Sequence, residues 1–339
     1  MTQIPRPEHP HPQMKREHWK NLNGEWDFSF DFGCSGIDQK WQEGKTDWEK
    51  KILVPFCPES DLSGIGYKDF IPGVWYHRTI TLTGEELKGD LLLHFGAVDY
   101  DARVWINGVE AGRHQGGYVS FTFNITKLVK EGENDITLFA ADDVRSGKQP
   151  KGKQSHFFYS RGCDYTRTTG IWQTVWLEWV PESYIEKVQY YPNLAEATLG
   201  IKAVVKGQGT LEAKAFYGGE PCGSVSAKSE GGTVTMTLPL SRLEKWEPGH
   251  GRLYDLTLTY GEDKVESYFG MREVRLDGEK FLINDKSVFQ RLVLDQGFYP
   301  DGIYTAPTEE ALVKDVELSM AAGFNLSLIH ISEPTRQEA

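Results

Sequence analysis

The sequence predicts a mostly β protein: two antiparallel sandwiches in series, followed by a single β/α unit. Three observations carry this expectation. Short runs of alternating apolar and polar residues recur behind turn signals, from GEWDFSFD (24–31) to KVESYF (264–269). No long helical period interrupts the first series of these runs. The stretch DYTRTTGIWQTVWLEWV (164–180) holds three tryptophans, Trp172, Trp176 and Trp179, and no proline after its turn, the composition of a strand in the middle of a sheet. On alternation, Ile171, Val175, Leu177 and Trp179 share one face and Trp172, Thr174, Trp176 and Val180 the other, so both faces must be covered.

Composition narrows the class. Aromatic residues make up 12% of the chain, with ten tryptophans, which implies large sandwich cores, aromatic platforms for sugar rings, or both. A net charge of −12 argues against a nucleic-acid partner, because phosphate binding needs a basic surface. No apolar run approaches the roughly 20 residues of a membrane span. The first residues, MTQIPRPEHPHPQMKREHW, have no apolar core and do not read as a secretory signal. Four cysteines without CxxC spacing read as free thiols, which places the protein in a reducing, cytoplasmic compartment.

Residues 1–18, rich in proline and histidine, read as an extended, solvated arm. Trp26, Phe28 and Phe30 then alternate along a strand with one buried face. Further strands follow at Tyr76–Leu82, Leu91–Phe95, Ala102–Ile106, Phe121–Ile125 and Ile136–Ala140. Asn107-Gly108 closes a hairpin, since a type I′ turn needs two residues that tolerate positive φ. The first domain is placed at 1–181. Within it QPKGKQSHFFYSR (149–161) is basic and aromatic. It reads either as an anion-binding loop or as a solvated loop with Phe157 and Phe158 tucked into a neighbouring domain.

Pro181 marks a boundary, and the alternating runs of 182–271 suit a seven-stranded immunoglobulin-like sandwich, read as a spacer without a catalytic constellation. Val274–Ile283 reads as a hairpin closed by Asp277-Gly278. VFQRLVL (288–294) is apolar on both faces, as in a parallel sheet covered by helices. Thr308 is placed as the N-cap of a helix with Glu309 and Glu310 in its first turn and Gly323 past its end. Leu312, Val316 and Met320 form its expected inner stripe. Asp295 and Gln296, at the end of the strand, become candidate ligand contacts if the unit belongs to a β/α barrel, whose loops after the strands carry functional residues; one unit suits a barrel and an open sheet alike.

In this order, the chain resembles glycoside hydrolase family 2, which includes β-galactosidases, β-glucuronidases and β-mannosidases. The resemblance rests on LNGEWDFSFD (22–31), HFGAVDYDARVWINGVEAGRHQGGYVSFTFNIT (94–126), TTGIWQTVWLEWV (168–180) and KWEPGHGRLYDLTLTY (245–260). It continues through FGMREVRLDGEKFLINDKSVFQRLVLDQG (269–297), with Asn284-Asp285 where Asn-Gly is usual. It implies a sugar-binding jelly roll of galactose-binding type, an immunoglobulin-like sandwich, and the start of a (β/α)8 catalytic barrel at 272–325. It also implies a carbohydrate substrate, a retaining mechanism most like that of a β-galactosidase, magnesium or sodium in the complete enzyme, and room for a homo-oligomer. The family pattern Asp-x-x-Arg-x-x-Gly-Ile falls on Asp164, Arg167, Gly170 and Ile171. Asp164 thereby becomes the expected sugar or cation contact and Arg167 its companion; read without the resemblance, Asp164 simply accepts hydrogen bonds in its turn.

Retention needs two carboxylates about 5 Å apart. In the family, both are glutamates on later barrel strands, the first directly after an asparagine. No Asn-Glu pair occurs after residue 272. The expectation is therefore an amino-terminal piece of a bacterial enzyme, inactive alone, with a non-catalytic carbohydrate-binding module as the alternative. Residues 326–339 are expected to be foreign, because Leu326–Arg336 reads as a translated sequencing-library adapter; the other reading is a divergent strand with Ile329 and Ile331 inward.

Overall fold

The computed structural model describes residues 4–329. A six-stranded antiparallel sheet runs in the order Lys50–Val54, Gly24–Phe30, Gly73–Leu82, Gly132–Ala141, Asp101–Ile106, Val109–Gln115. A four-stranded sheet, Trp19–Asn21, Val175–Val180, Asp90–Phe95, Phe121–Asn124, packs against it. Their facing side chains, among them Trp26, Phe28, Tyr76, Leu93, Phe95 and Leu177, form one buried core. Alternation decides which residues enter that core: in GEWDFSFD, Trp26 and Phe28 are buried while Glu25, on the other face, is exposed and Asp27 half-buried. Asn107 and Gly108 take φ of 52° and 80°, the conformation that the hairpin between Asp101–Ile106 and Val109–Gln115 requires.

The tryptophan-rich stretch is interior, as its composition predicts, but it is not one continuous strand. Gly170–Ile171 pairs with Val98–Asp99, and the chain resumes at Val175 to lie between Trp19–Asn21 and Asp90–Phe95. Val175 and Leu177 enter the sandwich core, with Trp179 packed partly against it. The opposite face carries a buried carboxylate, Glu178, beside Trp176. A face read as wholly apolar is thus built around a charge.

The second sandwich has seven strands. A three-stranded sheet, Tyr184–Asn193, Thr198–Lys206, Gly232–Pro239, faces a four-stranded one, Glu220–Ser229, Gly209–Tyr217, Tyr254–Tyr260, Asp263–Phe269. Leu199, Ile201, Leu211, Leu256, Leu258 and Tyr260 are fully or almost fully buried between them.

The amino-terminal arm is a correction to the solvated tail expected of its composition. Met14 joins the core of the second sandwich. Arg16 donates from Nε and Nη2 to the two oxygens of Asp263 at 2.9 and 3.0 Å, to Glu178 Oε2 at 2.7 Å and to the Ile185 carbonyl at 2.6 Å. Arg6 reaches the Ala306 carbonyl at 3.2 Å. The arm therefore touches both sandwiches and the β/α segment.

Beyond Met271, a small meander, Val274–Asp277, Lys280–Ile283 and Lys286–Ser287, turns first through Gly278-Glu279, one residue later than expected. Its second turn is Asn284-Asp285, both at positive φ. The apolar run yields a strand only over Leu292–Asp295, paired in parallel with Leu326–Ile329. The helix Glu309–Ala321 lies between them in the chain; Thr308 Oγ1 accepts from the Ala311 amide at 3.2 Å, and Gly323 takes φ of +88° just past the end. The expected inner stripe fails, since Val316 and Met320 are 59% and 63% exposed. The line through Ala311, Asp315 and Ser319 is the more covered face, and two short strands offer too little surface to bury a wider stripe. Residues 330–339, most of the stretch expected to be foreign, lie outside the described residues.

Candidate functional site

The loop from Asp142 to Thr169 forms the rim of the first sandwich, and three buried carboxylates hold it from below. Asp99 Oδ2 accepts from Gln154 Nε2 at 2.5 Å, and Gln154 Oε1 in turn accepts from the Thr168 amide at 2.9 Å. Asp142 accepts from Gln149 Nε2 at 2.6 Å and from Thr169 Oγ1 at 3.0 Å. Glu59 Oε2 accepts from the Thr169 amide at 3.1 Å. Burial disfavours the charged form of all three. It pushes Glu59 up to about 8, Asp142 up to about 6, and Asp99, which also feels the charge of Asp142, well above the usual carboxylate range. Glu59 Oε1 and Asp99 Oδ1 are buried without a hydrogen-bond partner. The sequence gives no sign of this trio, because PES, VDYD and ADD read as ordinary turns.

On the rim itself, Asp164 pairs backbone to backbone with Arg161, and its carboxylate lies 3.3 Å from Lys151 Nζ and 3.9 Å from His156 Nδ1. Arg167, three residues on, is buried and turned into the fold. Its Nη1 donates to the carbonyls of Ser155 and Phe157, at 3.1 and 2.5 Å, its Nη2 donates to that of Lys68, and its guanidinium stacks 4.2 Å from the Phe70 ring centre. Arg167 thus shapes the loop rather than facing a ligand beside Asp164. Phe158 is 65% exposed, so it is not tucked into a neighbour as one reading of the loop expected.

The other predicted pair comes from the β/α segment. Asp295 Oδ1 accepts from the Gly297 amide at 2.8 Å and closes its own turn. Gln296 Oε1 accepts from Lys153 Nζ at 3.0 Å, and Phe298 stacks on Tyr165 with ring centres 4.9 Å apart. The end of the parallel strand therefore docks on the loop that carries Asp164. Beneath this contact Trp172, Ile303 and Tyr304 are buried together, and Trp172 Nε1 donates to the Gly117 carbonyl at 2.7 Å. Asp164 and Gln296, nominated from opposite ends of the chain, thus belong to one rim, joined by the lysines at 151 and 153.

The magnesium or sodium implied by the resemblance does not fit these residues. The Lys151 ammonium sits on Asp164, and among the described residues no group of three or more His, Cys, Asp or Glu could hold a metal ion. Among the described residues no helix is long and apolar enough to cross a membrane. All four cysteines are free thiols.

Residues 19–181 match the family model described as the sugar binding domain of glycosyl hydrolases family 2, and residues 183–272 match a second model of glycosyl hydrolases family 2. The chain belongs to glycosyl hydrolase family 2. Among curated relatives of this family 2 chain, a β-glucuronidase of Paenibacillus borealis is 24% identical over 297 residues, covering 80% of the chain and 48% of the relative. The β-glucuronidase of Sus scrofa is 27% identical, covering 83% and 48%. A β-galactosidase of Lactococcus lactis is 25% identical, covering 93% and 33%. The chain spans about half the length of these two β-glucuronidases and about a third of the β-galactosidase. The β-glucuronidase of Ruminococcus gnavus, solved with D-glucuronic acid, superposes with a TM-score of 0.79 at 20% identity, over 93% of this chain and 56% of that one, a likeness of fold.

Proposed function

We propose that this chain presents the sugar-binding side of a retaining glycoside hydrolase acting on β-linked glycosides. The observation that carries the reading is the rim where Lys151, Lys153 and Asp164 of the first sandwich meet Gln296 at the carboxyl end of a parallel strand. Functional residues of β/α barrels gather at that end of their strands. The strand Leu292–Asp295 and the helix Glu309–Ala321 are read as the opening of such a barrel. The two carboxylates that retention requires are assigned to later strands, outside this chain. Glu59, Asp99 and Asp142 are not those groups in this reading, because each is committed to holding the loop from beneath.

The relatives divide between β-glucuronides and β-galactosides, and the family motifs alone suggest a β-galactosidase type. Chromogenic β-D-galactosides and β-D-glucuronides, assayed with this chain and with a version extended through a complete barrel, test the proposal. The expected result is turnover by the extended protein only. Sugar binding without turnover in both would favour a carbohydrate-binding module instead, and turnover by the chain alone would overturn the placement of the catalytic pair.

A further inference from the structure

The loop of residues 142–169 is fixed by polar contacts. It leaves the six-stranded sheet after Ala141 and rejoins a strand at Gly170, with no helix or strand of its own among the described residues. Its one buried apolar side chain among them is Val144; the others that it buries are Asp142, Gln154, Ser155, Arg167, Thr168 and Thr169. A loop without an apolar core is as stable as its hydrogen bonds, and losing them frees it.

Those bonds converge on the three carboxyls beneath. Asp142 is the first residue of the loop and Thr169 the last, and the Thr169 hydroxyl donates to Asp142 at 3.0 Å, closing the neck. Glu59 takes the Thr169 amide at 3.1 Å, and Asp99 holds the middle of the loop through Gln154 at 2.5 Å. The acids also feel one another: the charges of Asp142 and Glu59 raise Asp99, and that of Asp142 raises Glu59. Arg167 is the cation that faces them, and exposed Asp143 adds a further negative charge beside Asp142. The remaining titratable neighbours, Cys57, Tyr76, Tyr118 and Tyr304, are pushed up by burial and stay neutral near pH 7. With every acid ionised, three buried negative charges would face one guanidinium, a state that like-charge repulsion and desolvation both oppose.

We propose that Glu59, Asp99 and Asp142 form a proton-operated latch, which keeps this loop, and with it Asp164 and Lys153, closed on the first sandwich, and that their ionisation releases it. Glu59 Oε1 and Asp99 Oδ1, buried without partners, are places where an ionised oxygen finds no donor. Burial raises Asp142 to about 6, Glu59 to about 8 and Asp99 well above its ordinary value, so each binds its proton more tightly under the closed loop than in water. The closed form is thus most favoured below the ordinary carboxylate range and loses that advantage as the pH climbs through 6 and 8. Such a latch acts whatever ligand the rim takes, so it stands independently of the glycoside reading.

Hydrogen exchange of the intact chain, read by mass spectrometry at pH 6 and pH 8 and corrected for the intrinsic pH dependence of amide exchange, tests the latch. Peptides from 142–169 are compared with peptides from the strand Thr198–Lys206 of the second sandwich. The expected result is at least a tenfold loss of loop protection from pH 6 to pH 8, with the control strand within about twofold. The E59Q/D99N double variant, neutral at both positions at either pH, should keep loop protection within about twofold across the same interval. Trypsin gives a second reading, because Lys148, Lys151, Lys153 and Arg161 lie on the loop. With protease activity normalised on a small peptide, nicking there should speed up at least fivefold from pH 6 to pH 8 in the wild type and not in the double variant. If the double variant does not fold, E59Q alone should reduce the wild-type loss at least threefold, and an unchanged loss would overturn the latch. Loop protection that ignores pH in the wild type would overturn it too, as would an equal loss in the double variant or in the control strand.

Discussion

Glu59 lies on the floor of the rim, fully buried, with one oxygen engaged by Thr169 and the other without a partner. Burial raises its pKa from 4.5 to about 8, so near neutrality it is chiefly the uncharged acid. The folded state holds this proton more tightly than the unfolded chain, so the group's contribution is complete below about 4.5 and is lost as the pH rises towards 8. Glu59→Gln keeps the shape and the neutral form at every pH. It should therefore gain stability relative to the wild type at pH 8 and be close to it at pH 5, as read by urea unfolding at both values. A variant equally affected at the two pH values would mean that Glu59 is ionised in the fold. None of this is visible in the sequence, because a buried neutral glutamate and an exposed charged one are written with the same letter. Asp164 was legible only through its spacing to Gly170 and Ile171, and the neutralising Lys151 could be placed beside it only once the loop had folded back.

At the level of elements, local chemistry was readable wherever the backbone leaves no choice. Asn107-Gly108 and the Thr308 cap are cases in which a turn or a helix start demands particular residue types. Gly170 is a sharper one. It takes φ of +73°, and a β-carbon there would lie 2.4 Å from Tyr76 Oη, whose hydroxyl accepts from the Ile171 amide at 3.2 Å. Gly170→Ala meets both the left-handed backbone penalty and an overpacked contact, so it should cost about 2–4 kcal/mol. Chemical denaturation checks this, and a loss below about 1 kcal/mol would show that the strand edge can shift to make room. What could not be read were the faces set by partners remote in sequence. The stripe of Leu312, Val316 and Met320 has helical period, but period states which residues align and not whether anything lies against them. Glu178 sits among tryptophans because Arg16, from more than 160 positions earlier, meets it there.

For the whole molecule, that arginine is the most consequential contact. It bridges Glu178 of the first sandwich and Asp263 of the second, with side chains of all three almost fully buried. Removing one partner of a buried network leaves the others charged and unpaired, which typically costs 3–5 kcal/mol. Arg16→Ala should lose about that much in urea unfolding near pH 7, because both sandwiches lose their shared counter-charge. A loss under about 1 kcal/mol would mean that water replaces the arginine freely. The order of the two sandwiches was legible from the two series of alternating runs, but their joining was not, since MKREHW reads as tail.

That bridge also sets a timetable. Arg16 and Arg6 precede their acceptors, Asp263 and the Ala306 carbonyl, by some 250 to 300 residues, so neither contact can form until that much more of the chain has been made. During synthesis this arm therefore lacks its acceptors in the second sandwich until they too have been made. A substitution at Arg16 would therefore act on the seam between the sandwiches and leave the interior of each untouched.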